Sequence, residues 1–410
     1  MTDNIGHRIF ENISQLARFG NRWMGSVGEK NARDFIAQAL SNVGLEVDLQ
    51  TFPYLAFDNS SCSFSFNGSD MTCEPLAYSA STGGPLTAPL LYVGEGTSSD
   101  YTRLVKSGYD ISKSIVLSDN LRSFTAYPEA EAAGALGFVL ATTLPGSTIR
   151  CGSVRFDRIR GKIPGLALGG DDSREIIRSL KEGVLSKATL SVNGRIESKT
   201  GQNVVGKAYT KVASDSRIIL SAHYDSFWNG VHAMDNLSGV ATLIELARTL
   251  PKTVESNLEF VFFAGEEIGS WGAAGYVGQP DFNPKQVQAL INLDAFGSKK
   301  SDLEVGVSEN FVHICRKAAN DSGTQVDCWN TPPREASDHK EFLRYGIPTV
   351  WLANNGTDIN YHTPLDCVKG ISTEKINAAY NLAAAIAHLV SQQPLYSDEE
   401  MDTREEMDTR

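Results

Sequence analysis

The chain has 410 residues, of which 41% are apolar and 21% are charged, as in an ordinary globular protein with enough apolar material for two or three domains. Its formal net charge of -12 disfavours nucleic acid or an anionic membrane surface as a partner, because both would be repelled. The first residues contain no apolar signal-peptide core and no later run is long enough for a membrane span, which predicts a cytoplasmic protein, or a secreted one if the chain is a processed form.

Six cysteines are scattered along the chain without C-x-x-C spacing, so a thiolate zinc site is not predicted. We expect most of them to be small buried hydrophobic residues. Cys62 with Cys73, and Cys315 with Cys328, are the candidate disulfide pairs in an oxidising compartment.

The N-terminal part of the chain has the apolar spacing of two amphipathic helices followed by a strand. The helical periodicity covers Ile9 to Ala17 and Ala32 to Leu40, and Gly44 ends the second helix. Leu45 to Phe52 then alternates between apolar and polar residues, as a half-buried strand does. These elements are assigned to residues 1–53, the first part of a discontinuous domain.

Residues 54–198 differ in character and are predicted to form an inserted, mainly β domain. Short β-like runs alternate with Gly, Ser and Asp, and helices are predicted only for Glu129 to Gly134 and Ser173 to Gly183. The stretch contains no histidine. A lid, a pocket wall or an interaction surface is the predicted role of this insert.

Strands and helices alternate after Asn203, which predicts an α/β fold with a doubly wound mixed sheet over residues 199–392. Strands are predicted to end at His223, Phe263, Leu293 and Leu352. Helices are predicted for Ser238 to Leu250, Asn310 to Ala319, Ser337 to Tyr345 and Thr373 to Leu389. Residues 393–410 form an acidic tail that contains a six-residue repeat. This composition predicts disorder or an added sequence.

Ionisable side chains follow three of the apolar strands at their carboxyl ends, where the loops of an open α/β sheet bind ligands. Two histidines and three carboxylates, one of them shared, can hold two divalent metals roughly 3.5–4 Å apart. A carboxylate two residues after the first histidine is placed to accept the other ring N–H of that histidine. In chain order, the candidate residues are His223, Asp225, Asp235, Glu266, Glu267, Asp294 and His362.

The motifs around these residues are specific. In order they read H-Y-D, A-M-D-N-L-S-G, F-F-A-G-E-E-I-G-S-W-G, N-L-D, S-D-H-K-E-F-L-R-Y-G-I-P and Y-H-T-P-L-D. Together they resemble the zinc exopeptidases of peptidase family M28, many of which are aminopeptidases. The insert is similar to a protease-associated (PA) domain through E-A-E-A-A-G-A-L-G-F-V-L followed by I-P-G-L-A-L, a match that is mostly a packing pattern.

The resemblance implies two zinc ions, or other divalent ions, with a separate role for each candidate residue. His223 and Asp294 would hold one ion, Glu267 and His362 the other, and Asp235 would bridge them. Glu266 would be the general base that takes a proton from the activated water. Tyr361 is a candidate donor to the developing oxyanion, as in some family members.

The predicted function is hydrolysis of a peptide substrate at its N-terminus. A carboxypeptidase or dipeptidase of the same family is the alternative, with Arg334 or Arg344 as a clamp for the substrate carboxylate. A non-catalytic binding or receptor module is an alternative of another class, and glutaminyl cyclisation on a related single-zinc fold is a remoter one. The oligomeric state is left open.

Three further residues have competing interpretations. The resemblance places Asp338 and His339 near the substrate, whereas an N-cap at the start of the predicted helix, from Ser337 or Asp338, explains Asp338 equally well. His232 lies three residues before Asp235, where the family pattern has no ligand, so it is predicted to be a loop or pocket-wall residue.

Overall fold

The computed structural model describes residues 5–183, 186–210, 216–356 and 358–393. The duplicated six-residue unit lies outside the described residues, so its predicted disorder stays a prediction. Within the described ranges, no helix is both long and apolar enough to span a membrane.

Helices and strands alternate through most of the described chain. The helices are α1 (Ile5–Leu16), α2 (Val27–Asn42), α3 (Ser98–Lys106), α4 (Ser123–Ala132), α5 (Gly170–Lys181), α6 (Ser238–Thr249), α7 (Trp271–Val277), α8 (Val312–Ser322), α9 (Lys340–Leu343) and α10 (Thr373–Ser391). The strands are β1 (Glu46–Phe66), β2 (Ser69–Met71), β3 (Cys73–Pro75), β4 (Leu86–Gly94), β5 (Ile115–Ser118), β6 (Gly137–Ala141), β7 (Gly165–Leu168), β8 (Lys187–Ala208), β9 (Arg217–His223), β10 (Asn257–Phe263), β11 (Val287–Leu293), β12 (Leu303–Val307), β13 (Cys328–Asn330) and β14 (Thr349–Asn354).

The predicted doubly wound mixed sheet is confirmed. Its strands follow one another in the order β13-β12-β14-β11-β9-β10-β8-β4-β5-β6-β7-β3. The four strands β14, β11, β9 and β10 are parallel, and the flanking strands β12 and β8 are antiparallel to them. Because the four parallel strands point the same way, their carboxyl ends lie at one edge of the sheet.

Both faces of these parallel strands are buried, which explains why their sequences read as continuous apolar runs. Leu220 on β9 belongs to the core that includes residues of α1, α2, α6, α8 and α10. Its neighbour Ile219 points to the opposite face of the sheet and belongs to the core that includes residues of α7 and α9. Alternate residues therefore fill two different cores, and the sheet is covered on both sides.

Two long antiparallel strands, β1 and β8, link the central sheet to the strands of residues 73–168. They pair continuously from Glu46 opposite Lys207 to Phe66 opposite Ala188, apart from a bulge after Asp58. The predicted domain boundaries at residues 53 and 198 therefore fall inside two uninterrupted strands. The division into a peptidase domain and a PA-like insert stays a prediction.

Several element bounds differ from the sequence expectation. Helix α3 was not predicted, although Thr97 and Asp100 form a capping box at its start. The helix predicted from Ser337 to Tyr345 is wrong in length, because α9 is a single turn. Neither of the two candidate N-caps, Ser337 and Asp338, is the cap, since His339 occupies that position and no side chain caps the helix.

The thiols of Cys62 on β1 and Cys73 on β3 are close, with their sulfur atoms 3.2 Å apart. We expect a mild thiol oxidant such as diamide to join them, with loss of two hydrogens by intact mass. The bond should stabilise the fold by about 2–4 kcal/mol, because it constrains the unfolded chain. The measurement is a higher melting temperature that dithiothreitol reverses. Cys62→Ser is the control and should show no shift; an oxidised wild-type chain in which peptide mapping finds no Cys62–Cys73 bond would contradict the prediction.

Candidate metal centre

The candidate ligands come from the carboxyl ends of β9, β10 and β11 and from two loops. His223 is the last residue of β9 and lies beside Phe263, the last residue of β10. The amide of Asp294, just after β11, donates to the carbonyl of Leu352 on β14 at 2.9 Å. Strand register alone therefore brings His223 and Asp294 to the same edge of the sheet.

A tight turn after β10 presents the two glutamates at this edge. Gly265 has φ +77°, a conformation that side chains with a Cβ rarely adopt, and it redirects the chain immediately before Glu266. The carboxylate of Asp225 fixes the turn, because its two oxygens accept from the amides of Glu266 at 3.1 Å and Glu267 at 3.3 Å. The same carboxylate lies 3.5 Å from His223 Nδ1, on the side predicted for an orienting acid.

Asp235 lies between two buried groups of ligands. Its Oδ1 is 3.0 Å from His223 Nε2, and that nitrogen is 3.1 Å from Asp294 Oδ1. Its Oδ2 is 3.2 Å from His362 Nε2, and that nitrogen is 3.0 Å from Glu267 Oε2. We call these groups the His223 cluster (His223, Asp235, Asp294) and the His362 cluster (Asp235, Glu267, His362).

The donor set of each cluster fits a divalent cation. Each imidazole Nε2 faces two carboxylate oxygens but has at most one hydrogen to give, so hydrogen bonding cannot satisfy both oxygens well. One nitrogen and two carboxylate oxygens are ligands that zinc accepts. All five residues are at most 7% exposed, which makes an excess of buried negative charge costly without cations.

In both clusters, the pKa shifts favour protonated histidines at the positions where a cation would bind. Burial lowers the pKa of both histidines, but the facing carboxylates outweigh it, so His223 is raised well above its ordinary value and His362 to about 9. Burial would raise the pKa of Asp235, but hydrogen bonds to both imidazoles lower it. Because metal ligands must be deprotonated, a bound cation would displace the histidine protons.

Glu266 belongs to neither cluster. It lines a cavity together with Asp235, Asp294 and Tyr361. Burial is the largest cause that raises its pKa well above the ordinary value, and the neighbouring carboxyl groups of Asp294, Asp338 and Glu267 raise it further against the effect of His223. A carboxyl group with a raised pKa beside a ligand cluster has the environment of a general base.

Tyr361 faces the same cavity from the loop that precedes His362. Its ring stacks on that of His362 with the centroids 3.6 Å apart. Burial and the carboxylates of Asp235 and Glu267 raise the pKa of its hydroxyl well above the ordinary value, so the hydroxyl remains a hydrogen-bond donor at neutral pH.

The other predicted histidines lie outside both clusters. His232 is fully buried and its Nε2 pairs with Asn229 Oδ1 at 2.8 Å, as a loop residue would. His339 Nε2 pairs with the carbonyl of Arg334 at 2.7 Å, and its ring stacks on Trp351, a residue of the cavity wall. Burial raises the pKa of Asp338 to about 8, with Asp225 and Asp294 adding to the effect of burial and His223 opposing it.

Two residues that hold the site together were not identified from the sequence. Asp366 accepts from the amide of Met234 at 2.8 Å and from that of Asp235 at 3.1 Å, which fixes the backbone of the shared ligand. Arg22 is fully buried and donates to the carbonyls of Tyr224 at 2.8 Å and Val231. Asp366 belongs to the motif Y-H-T-P-L-D, which offered a signal, whereas nothing near Arg22 in the sequence marks it.

Residues 203–387 match the model described as Peptidase family M28. The match contains every residue of both clusters and Glu266. The chain is also 28% identical over 397 residues to Aminopeptidase YwaD of Bacillus subtilis (strain 168), covering 92% of this chain and 83% of the relative. The chain is a peptide hydrolase.

Solved structures agree with this fold. BSAP, a zinc aminopeptidase from Bacillus subtilis, superposes with a TM-score of 0.74 at 26% identity over 93% of this chain and 94% of its own. A Peptidase M28 precursor from Shewanella amazonensis SB2B has a TM-score of 0.78 at 19% identity, over 97% of this chain and 96% of its own. At that identity the second likeness concerns the fold alone.

Proposed function

We propose that this peptide hydrolase is a cocatalytic di-zinc aminopeptidase that removes residues from the N-terminus of peptides. The observation that carries the proposal is the carboxyl group of Asp235, whose two oxygens face two different histidines at 3.0 and 3.2 Å. A shared carboxylate between two histidine-containing clusters is a ligand arrangement suited to two neighbouring cations. The similarity to YwaD and to BSAP supports zinc as the metal and the N-terminus as the point of attack.

The proposal gives each side chain one task. His223 and Asp294 would hold one zinc ion, Glu267 and His362 would hold the other, and Asp235 would be a ligand of both. When bound, the two ions would lower the pKa of a water molecule and polarise the scissile carbonyl. Glu266 accepts the proton of the attacking water and returns it to the leaving amine.

Two further residues serve these steps. Asp225, 3.5 Å from His223 Nδ1, would orient that ring, and it keeps the backbone of Glu266 in place by accepting from the Glu266 amide. Tyr361 presents a protonated hydroxyl to the cavity, where it can donate to the oxygen that gains negative charge.

A panel of matched peptides tests the direction of attack. We expect hydrolysis of peptides with a free N-terminus, whether or not the C-terminus is blocked, and no hydrolysis of N-blocked peptides. A chelator should abolish turnover and lower the melting temperature, because an ion that binds only the folded state stabilises it. Cleavage that requires a free C-terminus and tolerates a blocked N-terminus would overturn the aminopeptidase proposal, and a protein purified without zinc that cannot be loaded would favour a binding module.

A dipeptidase or carboxypeptidase remains the second candidate because Arg334 lines the same cavity as Glu266. Its guanidinium is already engaged, however, by Glu304 and by the ring of Trp351 at 5.5 Å. Arg344 pairs with Glu341 at 2.7 Å. A carboxylate clamp at either arginine would have to compete with these contacts, which favours the aminopeptidase.

A further inference from the structure

The segment that runs from Ile149 to Arg158 connects the predicted insert to both sides of the candidate site. At its start, the amide of Cys151 donates to the carbonyl of His362 at 2.9 Å. At its end, Arg158 Nη1 donates to the carbonyl of Gly269 at 2.9 Å and pairs with Glu341 at 2.6 Å. Gly269 belongs to the turn that follows Glu266 and Glu267, so the segment contacts the loops of both glutamates and of His362.

Arg150 makes the most specific of these contacts. Its guanidinium donates to the carbonyl of Tyr361 through Nη1 and to that of Ile359 through Nη2 at 2.8 Å. The backbone of Arg150 is itself fixed, because its amide donates to Thr142 Oγ1 at 2.9 Å. The residue is 4% exposed, and the groups that its guanidinium binds are both carbonyls.

Burying a guanidinium among carbonyl groups is costly, and burial lowers the pKa of Arg150 accordingly. This cost is offset because the planar guanidinium binds two carbonyls of one loop at the same time. Tyr361 and Ile359 are two residues apart on the loop that carries His362. Arg150 therefore fixes the shape of that loop and not merely its position.

The backbone of His362 needs such support. His362 has φ +59°, a left-handed conformation that is unfavourable for a residue with a Cβ and persists only when neighbours hold it. Its carbonyl accepts from Cys151 and also from Asn229 Nδ2 at 3.2 Å, and Asn229 in turn binds the carbonyl of Ile149 at 3.1 Å. Three carbonyls of the loop, at residues 359, 361 and 362, are thus held by Arg150, Cys151 and Asn229.

From these contacts we infer that Arg150 is a positioning residue for His362 and Tyr361, so that a side chain of the predicted insert completes the second zinc site. This inference rests on the proposed function and assigns the insert a part in it. The predicted insert would then be required for the correct geometry of the His362 cluster and would not act only as a lid or an interaction surface.

Zinc titration of the metal-free protein, with a chromogenic chelator as competitor, tests the inference without any turnover. We expect Arg150→Met to weaken one of the two zinc sites by about 10- to 100-fold, the range for residues that orient a metal-bound histidine, and to leave the other unchanged. Arg174→Met is the matched control, because Arg174 also donates to carbonyls of the insert, those of Thr143 and Leu144, but not to the His362 loop. It should bind zinc as the wild type does.

Hydrogen–deuterium exchange of the metal-free protein provides a second readout that a general loss of stability would not reproduce. Amides of residues 358–363 should exchange faster in Arg150→Met, while those of β9 and α6 keep their protection. If Arg150→Met does not fold, Arg150→Lys retains the charge but can no longer span the two carbonyls, and the same changes are expected in smaller measure. Unchanged zinc affinities together with unchanged exchange would overturn the inference.

The two proposals fail in different ways. A wild-type protein that binds two zinc ions but cleaves no peptide would contradict the proposed function while leaving the effect of Arg150 on zinc binding measurable. Normal peptide hydrolysis with two unaltered zinc sites in Arg150→Met would contradict only the positioning role.

Discussion

Glu266→Gln should lower kcat by about 100- to 10,000-fold while the protein keeps its zinc, which is the range expected for removal of a general base. The change preserves the volume of the side chain and removes its ability to accept a proton. It leaves both clusters intact, because Glu266 is not a member of either. The amide of residue 266 would still donate to Asp225, so the turn that also presents Glu267 should keep its shape.

Glu267→Gln is the matched control, since it makes the same chemical change one residue further along the same turn. Glu267 Oε2 lies 3.0 Å from His362 Nε2, so this variant should weaken the zinc ion of the His362 cluster. Zinc content by mass spectrometry and steady-state kinetics on a free-amine peptide would be measured for both variants. Near-normal turnover by Glu266→Gln, or loss of its zinc, would show that the base has been assigned to the wrong residue.

The pair also separates two interpretations of adjacent acids after a strand. Residues next to each other in extended chain point in opposite directions, which predicted different roles for Glu266 and Glu267. In the structure, Glu267 faces His362 whereas Glu266 faces the cavity. Both residues lie in the turn after β10 and not in extended chain, so the turn that Asp225 fixes, and not strand alternation, gives them these directions. The two variants test whether their roles differ.

The fold was predictable where a local pattern determines it. Buried parallel strands such as β9 and β10 are short apolar runs that end in polar residues, and their order along the chain follows the alternation with helices. Local capping chemistry also carried information that was overlooked, because Thr97 and Asp100 mark the start of α3. The length of α9 was not predictable, since the residues before Lys340 are held by tertiary contacts such as that of Asn292 Nδ2, which donates to Ser337 Oγ at 2.9 Å.

The predicted ligands were identifiable because each one follows a strand or lies in a motif, whereas the residues that hold them are distant in sequence. Asp366 is 131 residues from Asp235, and Arg150 is 211 residues from Tyr361. Both bind backbone groups. Every residue has such groups, so the amino-acid sequence does not show which one a side chain will bind. The motif Y-H-T-P-L-D marks Asp366 in the sequence, but its contact with the amide of Asp235 becomes visible only in three dimensions.

The boundaries of the predicted insert illustrate the same limit. The change in composition near residues 53 and 198 is real, yet β1 and β8 pass through both positions without interruption. A strand can leave one core and enter another while its backbone pairing continues, because pairing requires only a neighbouring strand. Strand pairing therefore does not mark the predicted boundaries, and residues on both sides of residue 53, such as Phe52 and Tyr54, belong to one core.

Asp235→Asn should remove both zinc ions, with a loss of turnover of about 1,000-fold or more, because several kcal/mol of transition-state stabilisation depend on the metals. An asparagine offers one neutral oxygen in place of two oxygens that share a negative charge, so neither cluster would keep its full donor set. Loss of the shared charge should also lower the pKa of His362 in the metal-free protein, since Asp235 is one of the groups that raise it.

His223→Ala is the informative comparison, because it removes a ligand from one cluster only. Under the di-zinc proposal, this variant should retain the ion of the His362 cluster, which includes Glu267 and Asp235 and no atom of His223. Zinc content and the two titration affinities, read beside the melting temperature, distinguish the variants. If Asp235→Asn lost only as much zinc as His223→Ala, Asp235 would be a ligand of a single ion, and the bridging role that supports the cocatalytic mechanism would have to be abandoned.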